Sequence, residues 1–585
     1  MNEQITFDEN GEYKFPEREP IKGFPELRWT GKRPFKSTMY FPAQLKESYG
    51  TDVDGWMNKI FWGDNLQVMS HLLKQFRGKI DLIYIDPPFD SKADYKTKIS
   101  IKGKTITSDS LAFEEKQYGD IWTNDEYLQF MYERLILIKE LLSDKGSLFL
   151  HCDWHKSAYL RCICDSVFGQ DCFRNEIIWH YSDNFQGNVK GFATNHNNIF
   201  WYSKSKTFVS NPVMIPLDKP TKRDKRIWSS ELGKLVSARN EDGSLIYEMF
   251  YEKKADDVWE IGQSSTTKSA SKEYLGYPTQ KPEKLLERII LASTNPGDIV
   301  FDCFMGSGTT QAVAMKLGRR FIGADINLGA IQTTTKRLIG IADELNSNIN
   351  GETKYTGFEV YNVNNYDFFR NPIEARDLII SALDIEKFTA SSVYDGELDG
   401  RMVKIMPVNH IATKADLAEL IANMPYKTFE QRKADNPNEP VERITLVCMG
   451  HEPDLKAHLI AEVTGFKLDI EIVDILRDKA DLQLKREAEA VVTRKGNKLV
   501  IEAFYPMNLM QKLSLQKEYV DDWKQLVESV MVDFNYDGAV LQPTITDIPG
   551  KNELVLGEYD IPENAGTIRV KITDLLSESL EVEVE

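Results

Sequence analysis

Short apolar runs, each ending at an acidic or glycine-rich turn, recur along the first 350 residues of the chain. Residues 82–85 are too few for a helix and too apolar for a half-exposed strand, so they predict a strand buried on both faces. Residues 298–302 and 320–325 repeat this pattern, and a helical pattern begins at Thr309-Thr310 between them. Strands that alternate with helices predict an α/β fold with a parallel sheet.

The first of these strands ends at Asp86-Pro87-Pro88-Phe89. Proline lacks an N–H for a sheet ladder and holds φ at about −65°, so Asp86 is held in a turn at the sheet edge. Asp86 and the Pro87 carbonyl can accept the two hydrogens of an exocyclic base amine, while Phe89 stacks on the ring. Such a base must first leave the duplex. The alternative is a strand-end aspartate before an ordinary turn, with Phe89 in the core.

A glycine-rich turn, Phe304-Met305-Gly306-Ser307-Gly308, joins the strand at 298–302 to the following helix. The two glycines allow the backbone to approach a ligand closely, and Asp325 at the end of the next strand suits ribose hydroxyls. No lysine follows the second glycine, as a phosphate-binding P-loop requires, and the dinucleotide fingerprint Gly-x-Gly-x-x-Gly is absent from this turn. The turn therefore predicts a nucleotide-type cofactor site of another kind.

These motifs together resemble those of the amino-group DNA methyltransferases, which methylate adenine N6 or cytosine N4 with S-adenosylmethionine. The amine motif precedes the cofactor loop, as in their circularly permuted β group, and the wording is most like that of type III restriction-system modification subunits. The likeness spans residues 58–345 and departs at Cys303, where the family usually has proline. Further matching segments are Gly63-Asp64-Asn65-Leu66, residues 146–153, 159–169, 175–179 and 198–202, and Gly276-Tyr277-Pro278-Thr279-Gln280-Lys281-Pro282.

The resemblance implies a Rossmann-like, circularly permuted S-adenosylmethionine-dependent methyltransferase fold with an inserted recognition region and a C-terminal α+β, β-rich extension. It implies that Asp86, Pro87, Pro88 and Phe89 are catalytic. The residues that it implies for cofactor binding are Asp64, Asn65, Thr279, Lys281, Pro282, Asp302, Phe304, Gly306, Gly308, Thr309, Thr310 and Asp325. Asp86 favours adenine as the target, with cytosine N4 as the alternative.

The domain organisation follows from where these patterns begin, break and end. The predicted units are an N-terminal arm (1–56), a catalytic half (57–203), an inserted target-recognition region (204–262), a cofactor-binding half (263–345), a small mixed α/β domain (351–480) and a β-rich C-terminal domain (481–585). Residues 91–116 are polar and lysine-rich, either a DNA-facing loop or a solvated one. Residues 264–272 are Ser/Thr-rich and predict a flexible link.

The inserted region carries the residues expected to contact DNA, namely Lys222, Arg223, Lys225 and Arg226. Arginine reads guanine edges and lysine neutralises phosphates, so a basic insert with nearby aromatic side chains fits double-stranded DNA. The insert is short for a full recognition domain, which leaves open how completely it reads a sequence.

Charge divides the chain into two parts with different expected partners. Residues 1–350 hold 46 Lys and Arg against 47 Asp and Glu, whereas residues 351–585 hold 26 against 43. The acidic C-terminal part would repel phosphates, so we expect it to meet protein. The candidates are a restriction (nuclease–translocase) subunit, another defence-system protein and a second copy of the chain; a purely stabilising appendage is the alternative.

Two function classes remain open at this stage. One is a methyltransferase, acting alone or as a modification subunit; the other is a DNA-recognition scaffold whose activity needs a nuclease–translocase partner. The six cysteines lack paired Cys-x-x-Cys spacing, and no apolar run reaches 18 residues, so we expect reduced thiols, no membrane and a cytoplasmic location. His151, Cys152, Asp153 and His155 lie too close along one strand end to converge on a metal ion, so no metal is expected.

Overall fold

The computed structural model describes most of the chain, and none of the helices in its described part is long and apolar enough to cross a membrane. The described residues are 5–7, 12–16, 26–88, 97–101, 104–108, 124–181, 183, 192–230, 232–268, 271–277, 279–347, 354–363, 376, 379–380, 383, 385–388, 393–408, 411–452, 454–475, 488–507, 509–510, 513, 520, 522–550 and 553–584.

A ten-stranded sheet forms the centre of the first 363 residues. Six neighbouring strands in its middle run parallel, as the alternation of strands and helices predicted. From one edge to the other, the strands are Val258–Glu260, Phe173–His180, His196–Ser203, Leu142–Cys152, Ile80–Ile85, Ile299–Asp302, Arg320–Asp325, Asn58–Trp62, Phe358–Val363 and Ala43–Tyr49.

Helices cover both faces of this sheet, which explains why its central strands are apolar throughout. Leu82 packs into the core on one face and its neighbour Ile83 into the core on the other, and both are fully buried. The helices on the Ile83 face are Asn65–Phe76, Asn124–Leu141 and Ser157–Phe168. Those on the Leu82 face are Glu283–Ser293, Thr309–Lys316 and Leu328–Ser347.

The chain leaves the two middle strands in opposite directions. After Ile80–Ile85 the next strand of the parallel set is added on one side, and after Ile299–Asp302 it is added on the other side. The connections therefore diverge at the carboxyl ends of these two strands. Such a point leaves a crevice where ligands bind in open α/β sheets.

The inserted region consists of two β-hairpins. Met214–Asp224 pairs with Tyr247–Lys254, and Arg226–Ser229 pairs with Lys234–Ser237. Every residue of Tyr247–Lys254 is exposed, so this ribbon has no core beneath it. The chain then returns to the central sheet at the edge strand Val258–Glu260.

A second, five-stranded sheet forms the middle domain. Its strands, in spatial order, are Glu386–Lys387, Gly396–Leu398, Arg401–Ile405, Glu442–Cys448 and Leu468–Asp474. Its helices are Leu417–Ala422, Tyr426–Asp435 and Leu455–Glu462. Between residues 442 and 474 a strand, a helix and a strand follow one another along the chain.

The C-terminal domain has two small sheets around a shared apolar core. The first contains Glu489–Lys495, Lys498–Tyr505 and Glu558–Asp560; the second contains Ile545–Asp547, Val527–Asp533, Ile568–Asp574 and Ser579–Val584. A short 3-10 helix, Trp523–Leu526, precedes the second sheet. The strands Glu489–Lys495 and Lys498–Tyr505 form a hairpin with Gly496 in its turn, and the region is β-rich, as expected.

The C-terminal domain docks on the outer edge of the central sheet. Leu541 forms two backbone hydrogen bonds with the edge strand Ala43–Tyr49. Its N–H donates to Lys46 O (2.9 Å), and its carbonyl accepts from the N–H of Ser48 (3.0 Å). Beside this bridge, Lys571 forms an ion pair with Glu47, and both side chains are largely buried. The C-terminal domain therefore covers that edge.

The sheet extends beyond the expected methyltransferase limits of 57–345, since it includes Ala43–Tyr49 and Phe358–Val363. The N-terminal region also forms a small sheet of Thr6–Phe7, Glu12–Lys14 and Ser37–Met39. The lysine-rich segment at 91–116 contains the hairpin Thr97–Ile101 and Lys104–Ser108, and its other residues lie outside the described ones. The flexible link predicted at 264–272 begins instead with a four-residue helix, Ser264–Thr267.

Candidate active site

Four aspartates lie at one edge of the central sheet. Asp302 and Asp325 end their strands, Asp86 directly follows Ile80–Ile85, and Asp64 follows Asn58–Trp62 by two residues. These four strands are parallel neighbours, so their carboxyl ends meet at the same edge. Carboxylates that are distant in sequence are thereby concentrated at the crevice where the connections diverge.

The carboxylate of Asp86 has two different surroundings on its two oxygens. Oδ2 forms an ion pair with the ammonium group of Lys281, and the two side chains are 16% and 13% exposed. Oδ1 is buried, has no hydrogen-bond partner among the residues that the structure describes, and lies 3.7 Å from His151 Nδ1. A separation of 3.7 Å is too long for a hydrogen bond. Asp86 is thus held on its cleft side by lysine and faces a histidine on its inner side.

Lys281 reaches Asp86 from the segment before the helix Glu283–Ser293, on the cofactor half of the sheet. Its ammonium group also donates to the carbonyl of Thr279 (3.0 Å), a residue with a φ of 62°. A positive φ is uncommon for threonine and marks a constrained position in the backbone. The Lys281 carbonyl accepts a hydrogen bond from the Thr309 hydroxyl (3.2 Å). Pro282 is buried and caps the following helix.

The glycine-rich turn is fixed by the neighbouring strand that ends at Asp325. The N–H of Met305 donates to Ala324 O (3.1 Å), and the N–H of Gly306 donates to Asp325 Oδ2 (2.8 Å). Asp325 Oδ1 accepts the N–H of Asn327 (2.9 Å). The carboxylate predicted to bind ribose therefore also ties the turn to the loop after its own strand.

Gly308 cannot be replaced without strain. Its φ is 70°, and a Cβ at this position would lie 2.5 Å from the Thr334 side chain on the helix Leu328–Ser347. Thr334 also donates its hydroxyl hydrogen to Gly306 O (3.1 Å). This close contact lets the turn lie directly against that helix.

Asp302 is fully buried between the turn and the sheet. Burial, assisted by the negative charges of Asp86 and Asp325, raises the pKa of Asp302 to about 7. Hydrogen bonds from the Thr310 hydroxyl (2.6 Å) and the Phe304 N–H (2.9 Å) partly oppose this increase in the pKa. The site therefore combines buried negative charge with a carboxyl that changes ionisation near neutral pH.

Asp64 and Asn65 are engaged within the protein. Asp64 Oδ1 accepts the N–H groups of Leu66 (2.9 Å) and Gln67 (3.2 Å) and so caps the helix Asn65–Phe76. Buried Arg134 donates to Asn65 Oδ1 (2.6 Å) and to Asp64 Oδ2 (3.1 Å). Both residues lie at the predicted edge, and Arg134, which the sequence pattern did not single out, holds them there.

The structure describes one of the two aromatic residues of the predicted site, Phe304. Phe304 is partly buried, with its ring centroid 6.2 Å from that of Phe130. Phe89 lies outside the described residues.

Four basic residues of the insert divide into two pairs. Lys222 and Arg223 lie over the rings of Tyr247 and Phe250, at 4.4 Å and 5.7 Å from the ring centroids. In contrast, Lys225 pairs with Glu248 (3.0 Å) and Arg226 pairs with Asp224 (3.2 Å). The first pair has aromatic neighbours, whereas the charge of the second is partly neutralised.

His151 is the main residue at this site that the sequence did not assign. It was considered there only as a possible metal ligand, and within the described part of the chain no three His, Cys, Asp or Glu side chains form a candidate metal cluster. The structure instead buries it beside Asp86, while His155 is exposed and bonded to Asp153 (2.7 Å). The pairing of distant strands brings His151 and Asp86 together, and no local motif signals that contact.

Comparison with known proteins gives a consistent result. A family described as DNA methylase matches residues 80–336. The chain is 34% identical to the type II methyltransferase M1.MboII of Moraxella bovis, over 42% of this chain and 85% of that protein. It is 27% identical to the DNA adenine methyltransferase YhdJ of Escherichia coli, over 44% of this chain and 76% of that protein. It is 25% identical to the probable type III restriction-modification enzyme HindVI Mod subunit of Haemophilus influenzae, over 54% of this chain and 55% of that protein.

Proposed function

The chain belongs to the DNA methylase family, and we propose that it methylates the exocyclic N6 amine of adenine at a specific site in double-stranded DNA. The observation that carries the proposal is the position of Asp86, at the carboxyl end of a buried strand and beside the glycine-rich turn. When bound there, S-adenosylmethionine supplies the methyl group on a positively charged sulfur.

The side chains at this edge of the sheet suit such a cofactor. Asp86, Asp302 and Asp325 concentrate negative charge at one edge, which favours a ligand that carries positive charge. Gly306 and Gly308 keep the turn free of side chains. The residues that would hold the cofactor are those of the sequence prediction, among which the carboxylate of Asp325 would suit its ribose hydroxyls.

The target amine would be bound by Asp86 and the carbonyl of Pro87. Asp86 Oδ2 faces the cleft and is already in contact with a hydrogen-bearing nitrogen, the ammonium group of Lys281. An entering amine would replace that contact, and its two hydrogens would be accepted by Oδ2 and by Pro87 O. These bonds aim the nitrogen lone pair at the methyl group, so positioning carries most of the rate enhancement. The product amine can lose its extra proton after the transfer.

Adenine is favoured over cytosine because an aspartate, not a serine, precedes Pro87, and because one relative is named as an adenine methyltransferase. Cytosine N4 is the alternative target within the same chemistry. The target base has to be turned out of the duplex before Asp86 can reach its amine.

The inserted ribbon would contact the DNA. Its exposed strand Tyr247–Lys254 and the stacked cations Lys222 and Arg223 offer aromatic surface and positive charge together. Lys225 and Arg226 belong to the same surface, with part of their charge used in local ion pairs.

A restriction-type nuclease–translocase is the proposed partner of the acidic part of the chain. The relative named as a type III Mod subunit supports a partner of this kind. The edge of the C-terminal domain that meets Ala43–Tyr49 is already occupied, so a partner would use the middle domain or the free faces of the C-terminal sheets.

The proposal is tested by long-read sequencing of DNA from cells that express the chain, compared with Asp86→Ala and with Asp171→Ala. Asp171 is an exposed carboxylate on a 3-10 turn, so its loss serves as the matched control. We expect N6-methyladenine at one short motif with the wild type and the control, and none with Asp86→Ala. Wild-type methylation by Asp86→Ala would refute the site.

If the chain alone leaves DNA unmodified, the same comparison is repeated with its genomic neighbours co-expressed. Methylation only then would assign the activity to a complex. Its absence even then, with cofactor binding retained, would favour the scaffold alternative.

A further inference from the structure

A chain of buried polar side chains ends beside Asp86. Tyr84, His151 and Asn197 come from three neighbouring strands of the central sheet. His151 Nδ1 lies 2.8 Å from the Tyr84 hydroxyl, and His151 Nε2 lies 2.9 Å from Asn197 Nδ2. Tyr84 and His151 are almost completely buried. The cost of burying these groups makes their alignment a feature that needs an explanation.

The hydrogen bonds among these buried polar side chains fix the tautomer of His151. Asn197 Oδ1 accepts the hydroxyl hydrogen of Tyr181 (3.3 Å), which leaves its amide nitrogen to face the imidazole ring. That nitrogen donates to Nε2, so Nε2 carries no hydrogen, and a neutral ring has its hydrogen on Nδ1. The N–H group of His151 therefore points toward Tyr84 and Asp86.

The ring is neutral at physiological pH. Burial lowers the pKa of His151 to about 4; the charge of Asp86 opposes this change and that of Lys281 adds to it. The ring of Trp179 packs against it edge-on, with centroids 5.4 Å apart. A neutral ring can donate one hydrogen bond to a carboxylate without neutralising its charge.

The inner oxygen of Asp86 is a second acceptor close to this N–H. Within the described part of the chain, Oδ1 is buried without a hydrogen-bond partner, and it lies 3.7 Å from Nδ1, within about 1 Å of hydrogen-bond distance. The outer oxygen is held by Lys281. When an amine replaces Lys281 on Oδ2, a small rotation of the carboxylate can bring Oδ1 into contact with Nδ1–H.

We propose that His151 is a positioning residue for Asp86: its Nδ1–H binds the inner oxygen and so directs the outer oxygen at the target amine. The inference rests on the proposed methylation of an exocyclic amine and adds no covalent step or proton transfer to it. Tyr84 shares the same N–H and releases it when Asp86 rotates.

The test compares three substitutions of purified protein in single-turnover methylation and in S-adenosylmethionine binding by calorimetry. His151→Leu removes the donor; His151→Asn places an amide N–H where Nδ1 was; Tyr84→Phe removes the competing hydroxyl. A misplacement of about 1 Å can cost about 100-fold in rate, so we expect a loss of that order for His151→Leu, with cofactor affinity unchanged. We expect His151→Asn to recover most of the rate and Tyr84→Phe to keep it.

Several outcomes would overturn the inference. They are a His151→Leu rate within twofold of the wild type, an equal loss in His151→Asn, or a loss in all three variants that follows their melting temperatures. If His151→Leu does not fold, His151→Gln takes its place, since its amide reaches past Nδ1 toward the position of Nε2. Asp86→Ala in the same assay separates the two claims: full activity there refutes the proposed function, whereas full activity in His151→Leu alone refutes only the role of His151.

Discussion

Lys281 and Asp86 form a nearly buried ion pair although 195 residues separate them in sequence. Asp86 belongs to the strand that carries the amine motif, and Lys281 belongs to the segment that leads into the cofactor half. The contact therefore joins the two functional halves of the sheet. A ligand that binds either partner has to compete with this pair.

The stabilities of Lys281 and Asp86 variants should be strongly non-additive. Removal of one partner leaves a buried charge uncompensated, whereas removal of both charges does not. We expect Lys281→Met to destabilise the protein and Asp86→Asn to restore part of that loss, with a coupling free energy of about 1–3 kcal/mol. Urea denaturation of the wild type, both single variants and the double variant measures it.

The exposed pair Lys206–Asp171 is the control for this cycle, because both side chains are solvated and their pair is screened. Its two substitutions should be nearly additive. Additivity at Lys281 and Asp86 as well would show that the two charges do not interact in solution.

Gly308→Ala should destabilise the protein by about 1–3 kcal/mol, because a positive φ is costly for alanine and the new Cβ collides with Thr334. Gly340→Ala is a matched control in the helix Leu328–Ser347, where a Cβ meets nothing within 4 Å. That change should stabilise by about 0.5–1 kcal/mol. Thermal unfolding distinguishes the two.

A second substitution separates strain from collision at Gly308. Thr334→Ala removes the two atoms nearest to the new Cβ, Cγ2 (2.5 Å) and Oγ1 (2.6 Å), and leaves the Cβ of residue 334 at 3.0 Å, while the backbone strain remains. We expect the double variant Gly308→Ala, Thr334→Ala to regain part, and not all, of the lost stability. Full recovery would mean that the positive φ is not maintained in solution.

Asp302→Asn should change how the stability of the cofactor-free protein depends on pH. The folded protein keeps the Asp302 proton up to about pH 7, whereas the unfolded chain releases it near its ordinary value of about 3.8. The stabilisation that this carboxyl contributes is therefore fully present below about pH 3.8, decreases as the pH rises and is lost above about pH 7. The free energy of unfolding changes by at most about 4 kcal/mol over this interval.

The amide that this substitution introduces cannot ionise, and the Thr310 hydroxyl can turn to accept its hydrogen. We therefore expect Asp302→Asn to raise the melting temperature modestly at pH 5, where the wild type keeps most of this stabilisation, and to raise it more at pH 8. The exposed control Asp171→Asn should show no such increase. Equal effects of Asp302→Asn at both pH values would contradict the raised pKa.

The two pairs of basic residues in the insert should differ in their contribution to DNA affinity. Lys222 and Arg223 stack on aromatic rings, whereas Lys225 and Arg226 already pair with carboxylates. Each lost phosphate contact lowers the slope of log affinity against log salt by about 0.9. We expect the salt dependence of DNA affinity to decrease more in Lys222→Ala, Arg223→Ala than in Lys225→Ala, Arg226→Ala. Fluorescence anisotropy with a DNA duplex at several salt concentrations measures both.

Much of this site is visible in the sequence because its residues lie in short motifs at strand ends. An apolar run that stops at an aspartate predicts both a buried strand and the position of its last side chain, and this holds for Asp86, Asp302 and Asp325. The glycines are equally readable, since a turn between strand and helix needs their conformations. The four aspartates meet because their strands are parallel neighbours, which the alternating pattern also predicts.

The contacts that connect those motifs are not visible in the same way. His151 faces Asp86 only because the strands Leu142–Cys152 and Ile80–Ile85 pair in one particular register. Arg134 binds Asp64 and Asn65 from the middle of a helix whose pattern shows an ordinary apolar face. The docking of Leu541 on the strand Ala43–Tyr49 depends on tertiary packing across almost 500 residues, for which local patterns carry no signal.

That docking also bears on how the protein behaves when it is shortened. A truncated chain that ends near residue 363 would expose the backbone of Ala43–Tyr49 and leave Glu47 without Lys571. A bare sheet edge beside newly exposed apolar surface is a template for aggregation. We therefore expect the methyltransferase core to be more soluble when it is produced together with the C-terminal domain.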